Sequence, residues 1–177
     1  MVVIVCDSSI LILLTKLEML ELMLNQVKNV IIPKAVYNET VTEGKKLKKL
    51  DAFLIEKKVN KKRIKIKKVN NDQEKEILIE NFNLHEGEAE AIRIYKENEG
   101  DLLGTDDWRA IEVCKILDIN YFTTLSFTIW CKTKNLISRE KTLYKLNKLQ
   151  EIGWYKEDLI KDFKQKIKNK RGLKNNG

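Results

Sequence analysis

The sequence predicts an α/β protein: a mainly parallel sheet of four to five strands with helices on both faces, followed by a helical C-terminal extension. Three observations lead there. Short apolar runs alternate with helical stretches over the first 125 residues, and a repeated strand-helix order implies right-handed crossovers into a parallel sheet. The first run, Val2–Cys6, is rich in β-branched residues, as suits a central strand buried on both faces. Acidic residues stand just past several runs, where the C-terminal ends of parallel strands share one crevice.

The elements follow in order. Ser8-Ser9 after the first strand reads as the cap of a helix through Ile10 to Thr15, and a second helix runs from about Leu17 to Asn25. Val30–Ile32 is the second strand. Pro33 suits a first helical turn, so Lys34–Val41 is a helix carrying Glu39. Beyond Gly44 comes a Lys-rich amphipathic helix with Leu47, Leu50, Phe53 and Leu54 on one side. Arg63–Val69, in which Ile and Val alternate imperfectly with Lys, reads as an edge strand. Helices are expected over Asp72–Asn81 and Gly87–Glu99, the latter terminated by Gly100. Leu102–Thr105 is a strand, Asp107–Leu117 a helix and Tyr121–Thr123 a short last strand. Helices then run over Ser126–Lys134, Ser138–Gln150 and Lys156–Lys168, ending in a frayed Arg171–Gly177. The expected organisation is one domain over 1–125 and a basic helical extension over 126–177.

The chain has 177 residues, 43% hydrophobic and 34% charged, enough for one compact domain and incompatible with global disorder. No apolar stretch approaches the roughly 20 residues needed to span a bilayer, so no membrane association is expected. Cys6, Cys114 and Cys131 are odd in number and set among apolar residues, which fits reduced thiols and a cytoplasmic location. With no Cys-x-x-Cys and His85 as the single histidine, a structural zinc site or a histidine-based triad has little to build on. The net charge of +8 is uneven: Lys45–Lys68 carries a local +10 and the segment from Lys156 onward +5, leaving −7 for the rest. An acidic body with basic extensions suits a polyanion held by its backbone, though Lys-rich runs also serve simply as solvated helix faces.

Asp7, Glu39, the Glu86/Glu88/Glu90 cluster and Asp106-Asp107 are the chemistry-bearing candidates. Converging carboxylates repel unless a hard cation such as Mg²⁺ or Mn²⁺ neutralises them, and such cations prefer carboxylate oxygens. Asp7 directly follows a buried strand, a costly place for a charge unless it faces a cation or solvent, or caps the following helix. Glu86 and Glu90 share a helix face at i and i+4 while Glu88 points elsewhere, so the three cannot bind one ion equally. Of Asp106 and Asp107, one can enter the crevice and the other cap the helix beginning at Trp108.

The runs Val5-Cys6-Asp7-Ser8-Ser9, Val36-Tyr37-Asn38-Glu39, Gly87-Glu88-Ala89-Glu90-Ala91-Ile92 and Thr105-Asp106-Asp107 resemble, in order and spacing, the PIN domain family, particularly a subset with a Gly-Glu-Ala-Glu-Ala-Ile helix. The resemblance covers Val2 to Thr124. It implies a three-layer α/β/α Rossmann-like fold and Mg²⁺- or Mn²⁺-dependent ribonuclease activity, many members being VapC-like toxins of type II toxin-antitoxin pairs. Carried over, Asp7, Glu39, Glu88 or Glu90, and Asp107 form the catalytic quartet. Asp7, Glu88, Glu90, Asp106 and Asp107 are the candidate metal ligands, and Ser9 and Thr105 the supporting hydroxyls. Lys45, Lys46, Lys48, Lys49 and Arg109 are candidates for holding RNA phosphates. The implied partners are RNA, an antitoxin protein and a second copy in a homodimer. Two departures stand out: the family's third acid is usually an Asp opening the helix, at a position falling between Glu88 and Glu90, and the stretch after Leu125 exceeds a minimal PIN domain. That stretch could hold RNA, bind an antitoxin or pack as a dimer arm.

Two rival readings fit parts of the pattern. Asp7 after a first strand also fits an aspartyl-phosphate enzyme, but haloacid-dehalogenase-type enzymes want a second Asp where Ser9 stands, and receiver domains want an acid pair and a late Lys that cannot be placed. A non-catalytic module binding RNA or protein would be signalled by loss of an acid, and all four positions are filled.

Overall fold

The apolar run Val3–Cys6 forms β1, the middle of a five-stranded sheet whose other members are β2 (Asn29–Pro33), β3 (Ile64–Lys67), β4 (Leu102–Gly104) and β5 (Tyr121–Phe122). The computed structural model describes residues 2–69, 73–153 and 155–169. The strand order is β3-β2-β1-β4-β5 and every pairing is parallel, with Val5 opposite Ile31 of β2 and Leu103 of β4. The chain steps outward from β1 to β3, then returns to the far side of β1 to lay down β4. The switch point therefore lies between β1 and β4, where a ligand crevice opens at the C-terminal strand ends of such sheets.

Helices between the strands are α1 (Ser8–Lys16), α2 (Leu20–Leu24), α3 (Lys34–Tyr37), α4 (Gly44–Lys46), α5 (Leu50–Asn60), α6 (Gln73–Phe82), α7 (Glu86–Ile94) and α8 (Trp108–Ile116). Two π-helical stretches, Asn38–Glu43 and Tyr95–Glu99, continue α3 and α7. On one face of the sheet, Val5 and Leu103 pack with Leu78 of α6, Ala89 and Ile92 of α7, and Ala110 and Val113 of α8. Because strand side chains alternate between faces, Ile4 and Cys6 serve the opposite face; both are buried. Each such fully buried aliphatic side chain contributes about 1.5–3 kcal/mol, so the crevice has a rigid floor. Cys6, Cys114 and Cys131 are buried free thiols, and among the described residues no helix is long and apolar enough to cross a membrane.

The chain divides into two compact units, Met1–Thr124 and Leu125–Gly177. The second is built from α9 (Thr124–Thr133, whose first residue closes the first unit), α10 (Arg139–Ile152) and α11 (Glu157–Asn169). Ser138 caps α10 by accepting from the Lys141 N–H, and Leu146, Leu149 and Ile160 are fully buried. Arg139 donates to the Lys168 carbonyl at 2.9 Å.

Several elements differ from the sequence expectation. Asp7, not Ser8-Ser9, caps α1: its carboxylate accepts from the Ile10 N–H, and both serines lie inside the first turn. The helix expected over Leu17–Asn25 shortens to α2 because Glu18 takes a left-handed φ of 56°. The Lys-rich helix breaks in two, since Lys48 has a φ of 55° between α4 and α5. A Cβ at Gly44 would meet Ala52 at 2.8 Å, so α4 lies tightly on the Ala52–Ile55 side of α5. That side, with Asp51, is the buried one, and Leu47, Leu50, Phe53 and Leu54 face solvent. Gly100 does end its helix, but with an extended φ of −131°; glycine is needed there because a Cβ would lie 2.5 Å from Val5 Cγ2. Lysines on edge strand β3 fit the expected protection against edge pairing, with Lys67 paired to Glu97. The expected start at Asp72 and the frayed Arg171–Gly177 lie outside the described residues.

Candidate functional site

Asp7 and Thr105 follow the adjacent strands β1 and β4, so two chain segments 98 residues apart meet at the switch point. The ladder continues into the loops: the Asp7 N–H donates to the Gly104 carbonyl at 3.1 Å, and the Thr105 N–H to the Phe122 carbonyl at 3.1 Å. The Thr105 hydroxyl donates to Asp7 Oδ2 while accepting from the Asp107 N–H at 3.1 Å. Ser9 works from the other side, donating to Asp7 Oδ1 at 2.7 Å and accepting from the Asp106 N–H at 2.7 Å. The two hydroxyls named from the sequence therefore tie the β1–α1 junction to the β4–α8 junction.

Asp7 is only 2% exposed. Burial pushes its carboxyl from 3.8 up to about 7; the Thr105, Ser9 and Ile10 donors oppose the rise, and the charge of Asp106 adds to it. With Ile10 N–H at 3.1 Å, Asp7 accepts three hydrogen bonds, leaving one of about four lone-pair sites.

The other acids arrive from three helix ends. Glu39 sits in the π-helical stretch after α3, a feature frequent at functional sites, and accepts from the Ser8 hydroxyl at 2.5 Å through Oε2. Glu88 reaches back to the His85 N–H at 2.9 Å, as the N3 acid of a capping box does. Asp107 caps α8 through Oδ1, accepting from the Arg109 and Ala110 N–H groups at 2.8 and 3.1 Å. Glu39 Oε1, Glu88 Oε1 and Asp107 Oδ2 accept no hydrogen bond among the described residues. Glu88 is raised from 4.5 to about 7, first by burial and then by the charges of Asp107 and Glu39, while the His85 N–H and Arg109 oppose the rise. Gly87 makes this approach feasible: a Cβ there would meet Val36 Cγ2 at 3.0 Å and Glu39 Oε2 at 3.7 Å.

The structure thus brings Glu39 and Asp107 near Glu88, joins Glu39 through Ser8 to the residue after Asp7, and places Glu90 elsewhere. Glu90 is buried and pairs with Lys75 Nζ at 3.2 Å while accepting from the Ala35 N–H at 3.2 Å; Lys75 also binds Glu86 at 2.9 Å. Asp106 turns toward the start of α9, accepting from the Thr124 N–H at 2.9 Å and from its hydroxyl. Ser8, Lys75 and Thr124 were not among the sequence candidates. Ser8 had a readable signal, a hydroxyl next to the capping Asp, whereas Lys75 and Thr124 acquire their partners only through tertiary packing.

Of the basic candidates, Lys45 is engaged with Glu56 at 2.7 Å and Lys46 with Glu43 at 2.7 Å. Lys48 and Lys49 are exposed and have no ion-pair partner among the described residues. Arg109 lies over the Trp108 ring at 5.4 Å and 3.5 Å from the Asn83 carbonyl. A cleft of about 340 Å³ opens beside Glu39, lined by Ala35, Asn38, Glu43, His85, Glu86 and Gly87.

The donor set is one of hard oxygens alone, which suits Mg²⁺ or Mn²⁺ over thiolate-seeking metals. The open oxygens of Glu39, Glu88 and Asp107 and the remaining lone pair of Asp7 would be the ligands. As the side chains stand, however, no three acidic, imidazole or thiol groups among the described residues come within reach of a single ion.

A family model described as DUF3368, PIN domain, matches residues 3–169, and so extends through the C-terminal helices. No curated protein matches the chain. Among solved structures, a domain of a functionally unknown protein from Methanocaldococcus jannaschii DSM 2661 is similar at 21% identity and a TM-score of 0.44, over 70% of this chain and 91% of that one.

Proposed function

The chain belongs to the PIN domain family, and from that premise we propose that it is a Mg²⁺- or Mn²⁺-dependent ribonuclease whose ligands are Asp7, Glu39, Glu88 and Asp107. What supports the reading is one observation: acids from separate elements approach one another, the charges of Asp107 and Glu39 adding to the burial that raises Glu88, and three of them keep an oxygen open. Carboxylates held that way gain from a divalent charge what they lose by burial. A bound ion would supply Lewis acidity, lowering the pKa of an attacking water and offsetting charge on the phosphorane.

The chain's own residues do the rest. Thr105 and Ser9 orient the Asp7 carboxylate, as hydrogen-bonding neighbours of metal ligands do. Ser8 holds Glu39 toward the crevice, and the α7 and α8 N-termini fix Glu88 and Asp107 through backbone N–H groups. Lys48, Lys49 and Arg109 supply positive charge for neighbouring phosphates. We further propose a cytoplasmic site of action, in keeping with the free buried thiols, and a VapC-like toxin role with an antitoxin partner and a homodimeric state.

Isothermal titration with Mn²⁺, paired with cleavage of single-stranded RNA, tests the reading on wild type and Asp7→Asn. Wild type should bind the ion and cleave, and the variant should stay folded while losing both. A wild type that neither binds Mn²⁺ nor cleaves overturns it. That outcome would favour a second reading, a non-catalytic module binding RNA or protein, which draws its support from the lack of any three described groups within reach of one ion.

A further inference from the structure

Next to the carboxylate mouth lies a cleft of about 300 Å³ lined by Phe82, Asn83, Trp108, Arg109, Glu112 and Val113. Its rim carries an indole that is 66% exposed, although the residue directly before it, Asp107, is a proposed metal ligand. An exposed large aromatic beside a cleft offers a flat apolar face whose burial by a ligand would stabilise the complex. The face continues with Glu112 and exposed Ile116, at i+4 and i+8 from Trp108. Arg109 adds charge of the opposite sign to RNA, its guanidinium standing over the Trp108 ring at 5.4 Å.

We propose that the Trp108–Arg109 rim and the adjoining cleft form a nucleobase-stacking subsite for single-stranded RNA, which places the base next to the scissile phosphate. The inference rests on the ribonuclease reading for its substrate class. An aromatic face at a cationic rim is what sequence-tolerant single-strand binders use, since every base has a π-face and the cation meets the flanking phosphate. A protein partner covering Trp108 is the competing occupant. RNA is favoured because the cleft is flanked by the Arg109 cation and adjoins Asp107, one of the acids that would act on a phosphodiester.

The test is binding of a short single-stranded oligoribonucleotide in EDTA, so that affinity is read without cleavage, by the full chain, Trp108→Phe and Trp108→Ala, each checked for folding by circular dichroism. Wild-type tryptophan fluorescence should fall on binding. Trp108→Phe should keep most of the affinity but lose that quenching, and Trp108→Ala should bind about tenfold to a hundredfold more weakly. In Mn²⁺ the alanine variant should raise KM with little change in kcat. Unchanged affinity in Trp108→Ala, or equal binding of an abasic oligomer of the same length, overturns the subsite. So does loss of self-association in Trp108→Ala with RNA binding intact, which assigns the surface to protein. Quenching and affinity loss without Mn²⁺-dependent cleavage by wild type would retain the stacking subsite and reject the nuclease reading.

Discussion

Replacing Asp7 by Asn should stabilise the metal-free fold at alkaline pH while abolishing cleavage. The folded-state pKa of Asp7, about 7, lies above its ordinary value of 3.8, so between those values the folded chain holds a proton that the unfolded chain has released. The stability tied to that proton is fully present below pH 3.8 and is lost as pH rises through about 7. At about 1.36 kcal/mol for each unit of pKa, the loss approaches about 4 kcal/mol. Asparagine never ionises, but its amide cannot accept from both Ser9 and Thr105, and one hydrogen bond is worth about 1 kcal/mol. The net gain in EDTA at pH 8 is therefore about 3 kcal/mol, which for a chain of this length raises Tm by about 6–12 °C. At pH 4 the two proteins should melt within a few degrees of each other. Thermal denaturation by circular dichroism across that pH range reads this directly. Were the variant less stable than wild type at pH 8, the buried carboxylate would be stabilising rather than strained, and the electrostatic case for a cation site would fail.

Saturating wild type with Mn²⁺ at pH 7 should stabilise it by about 2.7 kcal/mol at a hundred times the Kd, and so raise Tm, as the ion offsets the cost of the buried Asp7 charge; calorimetry showing no shift refutes a site built on Asp7. Glu88→Gln should cut cleavage by orders of magnitude with the fold intact, whereas Glu90→Gln weakens the buried pair while Lys75 keeps Glu86, and should cost about 1.5 kcal/mol in urea denaturation. Equal kinetic losses in the two variants would contradict the separation of their roles. Thr105→Val removes the hydroxyl that donates to Asp7 and accepts from Asp107, so it should cost about 2 kcal/mol and weaken Mn²⁺ binding in titration.

Much of this protein was legible in the order of its residues, because the determining interactions are local. Val3–Cys6 and Asn29–Pro33 read as strands from their apolar side chains, and the alternation with helices predicted a parallel sheet and hence one shared crevice. Asp7, Glu39 and the Asp106-Asp107 pair were candidates because they stand past a strand or in the helix after it, and the resemblance to the PIN family singled out Asp107. Tertiary structure decided what depends on contacts distant along the chain. Glu88 and Glu90 are two residues apart on one helix, and only packing sends the first toward Asp107 and Glu39 and the second toward Lys75 and the start of α3. The amphipathic stretch Leu47–Leu54 predicted a side but not its direction, which the close packing of Gly44 on the Ala52 side chain settles. Side-chain type and periodicity act within a turn or two, so sequence specifies which faces exist; which face meets which is a competition among whole elements for the same core.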